Sequence, residues 1–119
     1  MIRRHSPYAG LLHEVVAHGG TLYFGGIVAE DTSLDLEGQA RDVLGQLDAL
    51  LAANGSDRDH VLQVTAYLVD LSEKDAFNRA WRDFFGPAQL PARAAIGVAD
   101  LGEGVRLELV VTAAISASG

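Results

Sequence analysis

Apolar and polar positions along this chain repeat with two different periods, and the switches between them mark its elements. Glu14-Val15-Val16-Ala17 and Thr21-Leu22-Tyr23-Phe24 read as strands flanking His18-Gly19-Gly20, where Gly-Gly suits the positive φ angles of a two-residue hairpin loop. Phe24-Gly25-Gly26-Ile27-Val28 continues or bulges the second strand, since glycine within a strand often marks a close backbone approach. Leu36, Ala40, Val43, Leu44, Leu47, Leu50 and Leu51 then recur at three- and four-residue intervals and predict a first helix. Asp31-Thr32-Ser33 offers cap candidates ahead of it, Asp35 and Glu37 suit its positive end, and Asn54-Gly55 supplies a left-handed stop. From Val61 to Val69 the period returns to two, placing Leu62, Val64, Ala66 and Leu68 on one face and Gln63, Thr65 and Tyr67 on the other.

A second helix is expected from near Ser72, with Ser72 and Asp75 resembling a capping box. Its stripe is Phe77, Ala80, Trp81, Phe84 and Phe85, and Gly86-Pro87 ends it. Two strands close the chain, roughly Arg93 to Val98 and Val105 to Ile115; in the last, Val105, Leu107, Leu109, Val111 and Ala113 face one way and Arg106, Glu108 and Thr112 the other. The expected order is β-β-α-β-α-β-β, with room for one more strand at Ile2 to His5. This predicts one α+β domain over residues 1–119: a mixed sheet with both helices on one face. The opposite sheet face is semi-polar yet rich in small and β-branched residues, which fits burial against other copies of the chain.

Charge narrows the function classes. The net charge is −7, and the nine Lys and Arg are scattered with only Arg3-Arg4 adjacent. Nucleic-acid binding draws its affinity from cations on phosphates, so neither nucleic acid nor an anionic membrane is an expected partner. With no cysteine, disulfides, thiolate metal sites and cysteine nucleophiles are excluded. No apolar run suits a signal peptide or a membrane span, and a cytoplasmic location is expected. His5, His13, His18 and His60 lack metal-ligand spacing, no glycine-rich phosphate loop carries a lysine, and no serine sits in a nucleophile elbow. No metal and no cofactor are therefore expected.

What remains is a pair of charged residues in apolar company. Arg93 lies in Pro91-Ala92-Arg93-Ala94-Ala95, where small neighbours leave a guanidinium room to hold a carboxylate. Glu108 sits mid-strand in Arg106-Leu107-Glu108-Leu109, where a carboxylate can orient or deprotonate a water. The plainer alternative is a rim salt bridge, or Arg106 pairing with Glu108 along the exposed face.

Pro91-Ala92-Arg93, a glycine-containing loop about ten residues on, and Arg106-Leu107-Glu108-Leu109 resemble the C-terminal signature of the Rid (YjgF/L-PSP) family. So do Ala52-Ala53-Asn54-Gly55-Ser56, Thr65-Ala66-Tyr67-Leu68-Val69-Asp70-Leu71 and Phe77-Asn78. The resemblance implies a chorismate-mutase-like fold and a homotrimer whose three sheets make a central barrel with clefts between subunits. In deaminating members those clefts hydrolyse reactive 2-imino acids to 2-oxo acids and ammonia. By this resemblance Arg93 clamps the substrate carboxylate, Glu108 is linked to the water, and Asn78 matches an asparagine kept near the cleft in a role read as structural. Gly25, Gly26 and Ala95 fall at lining positions. This chain has Gly25-Gly26-Ile27 where the deaminating pattern has Ser-Gly-Gln, and Ala95 where it has cysteine. A family tyrosine aligns with Leu12, and Tyr8 replaces it only if the register shifts.

The leading reading is a cofactor-free hydrolase of 2-imino or enamine acids, with Arg93 and Glu108 catalytic. The alternative is a non-catalytic trimer that binds a small carboxylate for sensing or buffering. Ribonuclease activity, attached to some family members, runs against the acidic balance.

Overall fold

A computed structural model describes residues 1–116. Its strands are β1 (Arg3–Tyr8), β2 (Leu12–His18), β3 (Thr21–Phe24), β4 (Ile27–Val28), β5 (Val61–Leu68), β6 (Ala92–Gly97) and β7 (Leu107–Ala114); its helices are α1 (Leu36–Ala53) and α2 (Lys74–Phe84). One seven-stranded sheet runs β1-β2-β3-β7-β5-β6, with β4 also paired to β7. All pairs are antiparallel except β5 with β6, which α2 connects as a parallel crossover. The sheet of the single chain is open rather than closed into a barrel.

Parity along each strand settles which residues meet the helices. Val15, Ala17, Leu22 and Phe24 on the first strands, Val64, Ala66 and Leu68 on β5, and Leu107, Leu109, Val111 and Ala113 on β7 are buried against Leu36, Leu44, Leu47 and Leu51 of α1 and Phe77 and Trp81 of α2. The expected α+β layering is therefore the one observed. The hairpin at Gly19-Gly20 forms with φ of 60° and 82°, and Gly25-Gly26 forms a bulge. Three residues, Phe24 to Gly26, span the interval that two residues span on β7, between the pairs Tyr23–Thr112 and Ile27–Leu109.

Several local expectations are corrected. Leu62 is not on the buried face: the register of β5 against β7 slips between Val61 and Gln63, making Leu62 the extra, exposed residue. Asp35, not Asp31, caps α1, accepting from the Gly38 amide at 2.8 Å. Asp31 instead accepts from the amide and hydroxyl of Ser33 at 3.0 and 2.6 Å, forming its own turn. Ser72 caps nothing; its hydroxyl donates to Asp70 at 2.7 Å inside a short 3₁₀ turn, and α2 begins at Lys74. The N-terminal strand is longer than expected, because Ala9-Gly10 closes a second hairpin with φ of 53° and 67°. Asn54-Gly55 ends α1 as expected, with Gly55 at φ 77° and the Ser56 amide donating to Leu51 O at 2.9 Å.

One buried amide ties the ends of the fold together. Gln39, fully buried in α1, donates to the carbonyls of Thr32, Leu34 and Gly104 at 3.3, 3.1 and 2.8 Å and accepts from the Arg106 amide at 2.9 Å. It thus fixes the loop that delivers β7 to its place beside β4. Replacing Gln39 by Leu keeps the bulk but strands these backbone groups, and each unpaired buried polar group costs about 1–3 kcal/mol. We expect Gln39→Leu to lower stability by about 3 kcal/mol, read as a lower urea midpoint at unchanged slope.

Candidate functional site

Arg93 is carried on β6, an edge strand, and pairs with Val64 of β5. Neighbours in a parallel ladder point the same way, so Arg93 shares the helix-covered face with the buried Val64. There its guanidinium carbon lies 5.0 Å from the ring centres of both Phe77 and Trp81, within the range of cation–π attraction. Those two rings are four residues apart on α2 and stack edge to face at 5.6 Å. Among the described residues no carboxylate forms an ion pair with Arg93. Burial, and after it the charge of Arg82, pulls its pKa below the ordinary arginine value. The result is a half-buried cation seated on two aromatic rings with no anion to meet it.

Ala95, two residues on, lies on the same face and packs at the edge of the core. Asn78 sits one turn before Arg82 on α2, and its Oδ1 is buried without a hydrogen-bond donor. The amide therefore anchors nothing in this chain through that oxygen. Glu73, at the start of α2, buries a second unpartnered oxygen, Oε2.

Glu108 lies elsewhere. It pairs with Tyr67 on one side and Val28 on the other, alternating with the buried Leu107 and Leu109, so it stands on the open face of the sheet. Its carboxylate occupies the space over Gly26: a Cβ there would overlap Oε2 and come within 2.7 Å of Cδ. Gly26 is thus required by proximity, not by backbone angle. Gly25 has no such need, since its Cβ would meet nothing closer than 3.8 Å. Arg106 does not pair with Glu108; its Nε donates to the Leu34 carbonyl at 3.3 Å.

The structure therefore brings Gly25, Gly26 and Glu108 together, brings Arg93 and Ala95 together on the sheet face that Asn78's helix covers, and keeps the two groups apart. Arg93 and Glu108 point to opposite faces with β5 between their strands, a separation of about 10 Å between backbones before the side chains diverge.

Beside the glycines is a cavity of about 360 Å³, walled in part by Tyr8, Leu12, Gly25, Gly26, Val28 and Leu50. Tyr8 and Leu12 are direct partners across the Ala9-Gly10 hairpin. A tyrosine thus stands at this cavity without any shift in register. Sequence reasoning missed the aromatic seat of Arg93, although Phe77 and Trp81 at i,i+4 were a usable signal, and it made Tyr8 conditional on a register shift because the hairpin that sets Tyr8 opposite Leu12 closes on an alanine with positive φ. A second cavity of about 230 Å³ between the helices is bordered by the pairs Arg41–Asp83 at 2.9 Å and Arg58–Asp48 at 3.2 Å and holds none of the candidate residues. Among the described residues no three of His, Asp and Glu gather as metal ligands, and no helix is long and apolar enough to cross a membrane.

Comparison with known proteins adds an independent finding. The family profile described as Endoribonuclease L-PSP matches residues 2–115. A RutC family protein of Haemophilus ducreyi is 36% identical over 103 residues, covering 87% of this chain and 88% of that protein. The RutC family protein YoaB of Escherichia coli is 30% identical, covering 86% of this chain and 89% of its own length. Among solved structures, an uncharacterized protein from Pseudomonas aeruginosa superposes with a TM-score of 0.92 at 34% identity, covering 98% of this chain and 100% of that one. A member of the YjgF protein family from Neisseria meningitidis gives 0.89 at 30% identity, covering 98% and 96%.

The aromatic seat of Arg93 provides a reporter, because Trp81 is the only tryptophan. Titration with pyruvate should change Trp81 emission with millimolar affinity, and Arg93→Ala should abolish the change. An unresponsive wild type would mean that no small carboxylate seats at Arg93.

Proposed function

This chain belongs to the Endoribonuclease L-PSP (YjgF, Rid) family, and from that premise we propose that it is a cofactor-free deaminase of 2-imino acids, working in clefts between the subunits of a homotrimer. The observation that carries the reading is the unpaired Arg93 cation on its aromatic seat, with Glu108 held over Gly26 on the other sheet face. One chain cannot present both to one small substrate, so a complete site takes Arg93 from one copy and Glu108 from the next. The exposed apolar residues of the open face, Tyr23, Val110 and Ile96, support burial there against other copies, with the three sheets enclosing a central barrel.

In this mechanism Arg93 grips the substrate carboxylate through two parallel hydrogen bonds and polarises the neighbouring C=N carbon. Glu108 orients a water and accepts its proton as the water oxygen bonds to C2, converting the imine to a carbinolamine. That proton passes to nitrogen; the carbinolamine hydroxyl then gives its own proton to the departing nitrogen by way of Glu108, the C–N bond breaks, and ammonia leaves as the water-derived oxygen becomes the 2-oxo group. Water and imino acid are consumed, and oxo acid and ammonia are formed. Imines hydrolyse unaided, so positioning and charge stabilisation of a few kcal/mol suffice.

Carboxylate binding without turnover is the second reading. The lining favours it: Gly25, Leu12 and Ala95 present no polar side-chain group where deaminating members carry serine, tyrosine and cysteine. Imino acids generated by an amino acid oxidase and trapped with semicarbazide separate the two. Faster loss of the imine with the wild type, absent in Arg93→Ala and Glu108→Gln, is the expected result. A folded oligomer that binds pyruvate yet accelerates no imine would establish the second reading, and a monomeric mass at micromolar concentration would overturn both.

Two further outcomes follow from the geometry. Arg93→Ala and Glu108→Gln chains, unfolded together in equal amounts and refolded, should recover roughly a quarter of wild-type activity, since each shared site then has one chance in four of drawing an intact half from both chains. No recovery would place both groups in one chain's site. Gly26→Ala should leave the fold intact, because only the tip of a flexible side chain must move, yet lower kcat about 10²-fold by displacing the Glu108 carboxylate.

A further inference from the structure

The cavity next to Gly25 and Gly26 shares Gly26 with the Glu108 carboxylate, so it lies beside that carboxylate. At about 360 Å³ it is far larger than a methyl or ethyl side chain requires. Tyr8, Leu12, Val28 and Leu50 offer apolar wall, suited to a run of methylenes. Its ionised groups are of one sign. Glu14 and Glu30 line it, neither forms an ion pair among the described residues, and no lysine, arginine or histidine lines it with them. Gln46, the remaining polar group, already donates to Val28 O at 2.9 Å and Asp42 at 2.7 Å.

We propose that this cavity receives the substrate's side chain and that the preferred substrates are 2-imino acids with a long apolar stem ending in a cation. This rests on the deaminase reading of the same site. A guanidinium or ammonium at the end of three or four methylenes lays its stem along the apolar wall and sets its charge beside Glu14 and Glu30. A short aliphatic side chain leaves the cavity to water, and a terminal carboxylate meets two like charges with no compensating cation. Both glutamates are exposed, so the discrimination is modest and screened: roughly threefold per charge at low salt, and less as ionic strength rises.

The test compares imino acids made in situ from arginine, leucine and glutamate by matched oxidases, with semicarbazide as the trap and the oligomeric wild-type protein as catalyst. The expected order of kcat/KM is arginine, then leucine, then glutamate, with the arginine preference shrinking between 20 and 500 mM salt, a range over which the Debye length falls several-fold. Glu14→Gln combined with Glu30→Gln should lower the arginine-to-leucine ratio roughly tenfold. Glu14→Lys combined with Glu30→Lys should move glutamate ahead of arginine, a reversal that a merely structural role for these residues would not produce. Acceleration that is indifferent to side-chain charge, in wild type and variants alike, would overturn this inference alone. Acceleration of no imino acid would overturn the deaminase reading and this inference with it.

Discussion

Side chains alternate across a β-strand, and in this fold that rule divides every strand between a face sealed by two helices and a face left open. Val64, Ala66 and Leu68 fix the parity of β5, and the ladders on either side carry it to its neighbours. Arg93, in register with Val64, must turn toward α2; Glu108, in register with Tyr67, must turn away from it. No rotamer change brings two such side chains to one small ligand, because the sheet itself lies between them. The bulge at Gly25-Gly26 acts within the same constraint: an extra residue re-aims the backbone beneath Glu108 while Phe24 and Ile27 on either side stay in the core.

Arg93 shows how the helical layer contributes more than packing. A charge drawn partly out of water loses hydration, and an unpaired one does so without repayment from a counterion. Phe77 and Trp81 return part of that through their ring faces. The nearby Arg82 works the other way, raising the local positive potential. An incoming carboxylate would relieve both the desolvation and the repulsion. Retaining an arginine here, rather than a hydrophobic residue of similar reach, is hard to explain by stability and easy to explain by a ligand.

Much of the fold was legible in the sequence because its signals are local. The α1 stripe, the Asn54-Gly55 stop and the Gly19-Gly20 hairpin each rest on a few adjacent residues whose chemistry has one natural outcome. The misses are of two kinds. Asp31 and Ser72 were plausible caps, but their groups are taken up by turns of their own, and only the three-dimensional path of the chain shows which acid reaches which amide. Leu62 and Ala9 broke rules that usually hold: a leucine in an alternating strand is expected inside, and a left-handed hairpin position is expected to be glycine or asparagine. The candidate residues themselves were legible as types, Arg93 from its small neighbours and Glu108 from its apolar ones. Their separation was not, since it depends on which of β5, β6 and β7 lies in the middle, and strand order is a long-range property.

The two adjacent glycines show which departures from the deaminating pattern are structural and which are not. That pattern places serine, glycine and glutamine where this chain has Gly25, Gly26 and Ile27. The glycine kept in common is Gly26, the position at which any Cβ collides with the Glu108 carboxylate. The glycine therefore serves the glutamate: without a Cβ at position 26 the Glu108 carboxylate keeps its place over the bulge. Gly25 has ordinary space around a Cβ and no positive φ, so a serine would fit there, and nothing in the packing demands its loss. The hydroxyl is missing for a reason other than room. The same holds across the hairpin, where Leu12 stands at the tyrosine position while Tyr8, its partner, faces the same cavity. The parts that would hold a carboxylate and a water are constrained by their surroundings, whereas the parts that would meet the remainder of a substrate are free to vary, and it is there that this chain differs from the deaminating pattern.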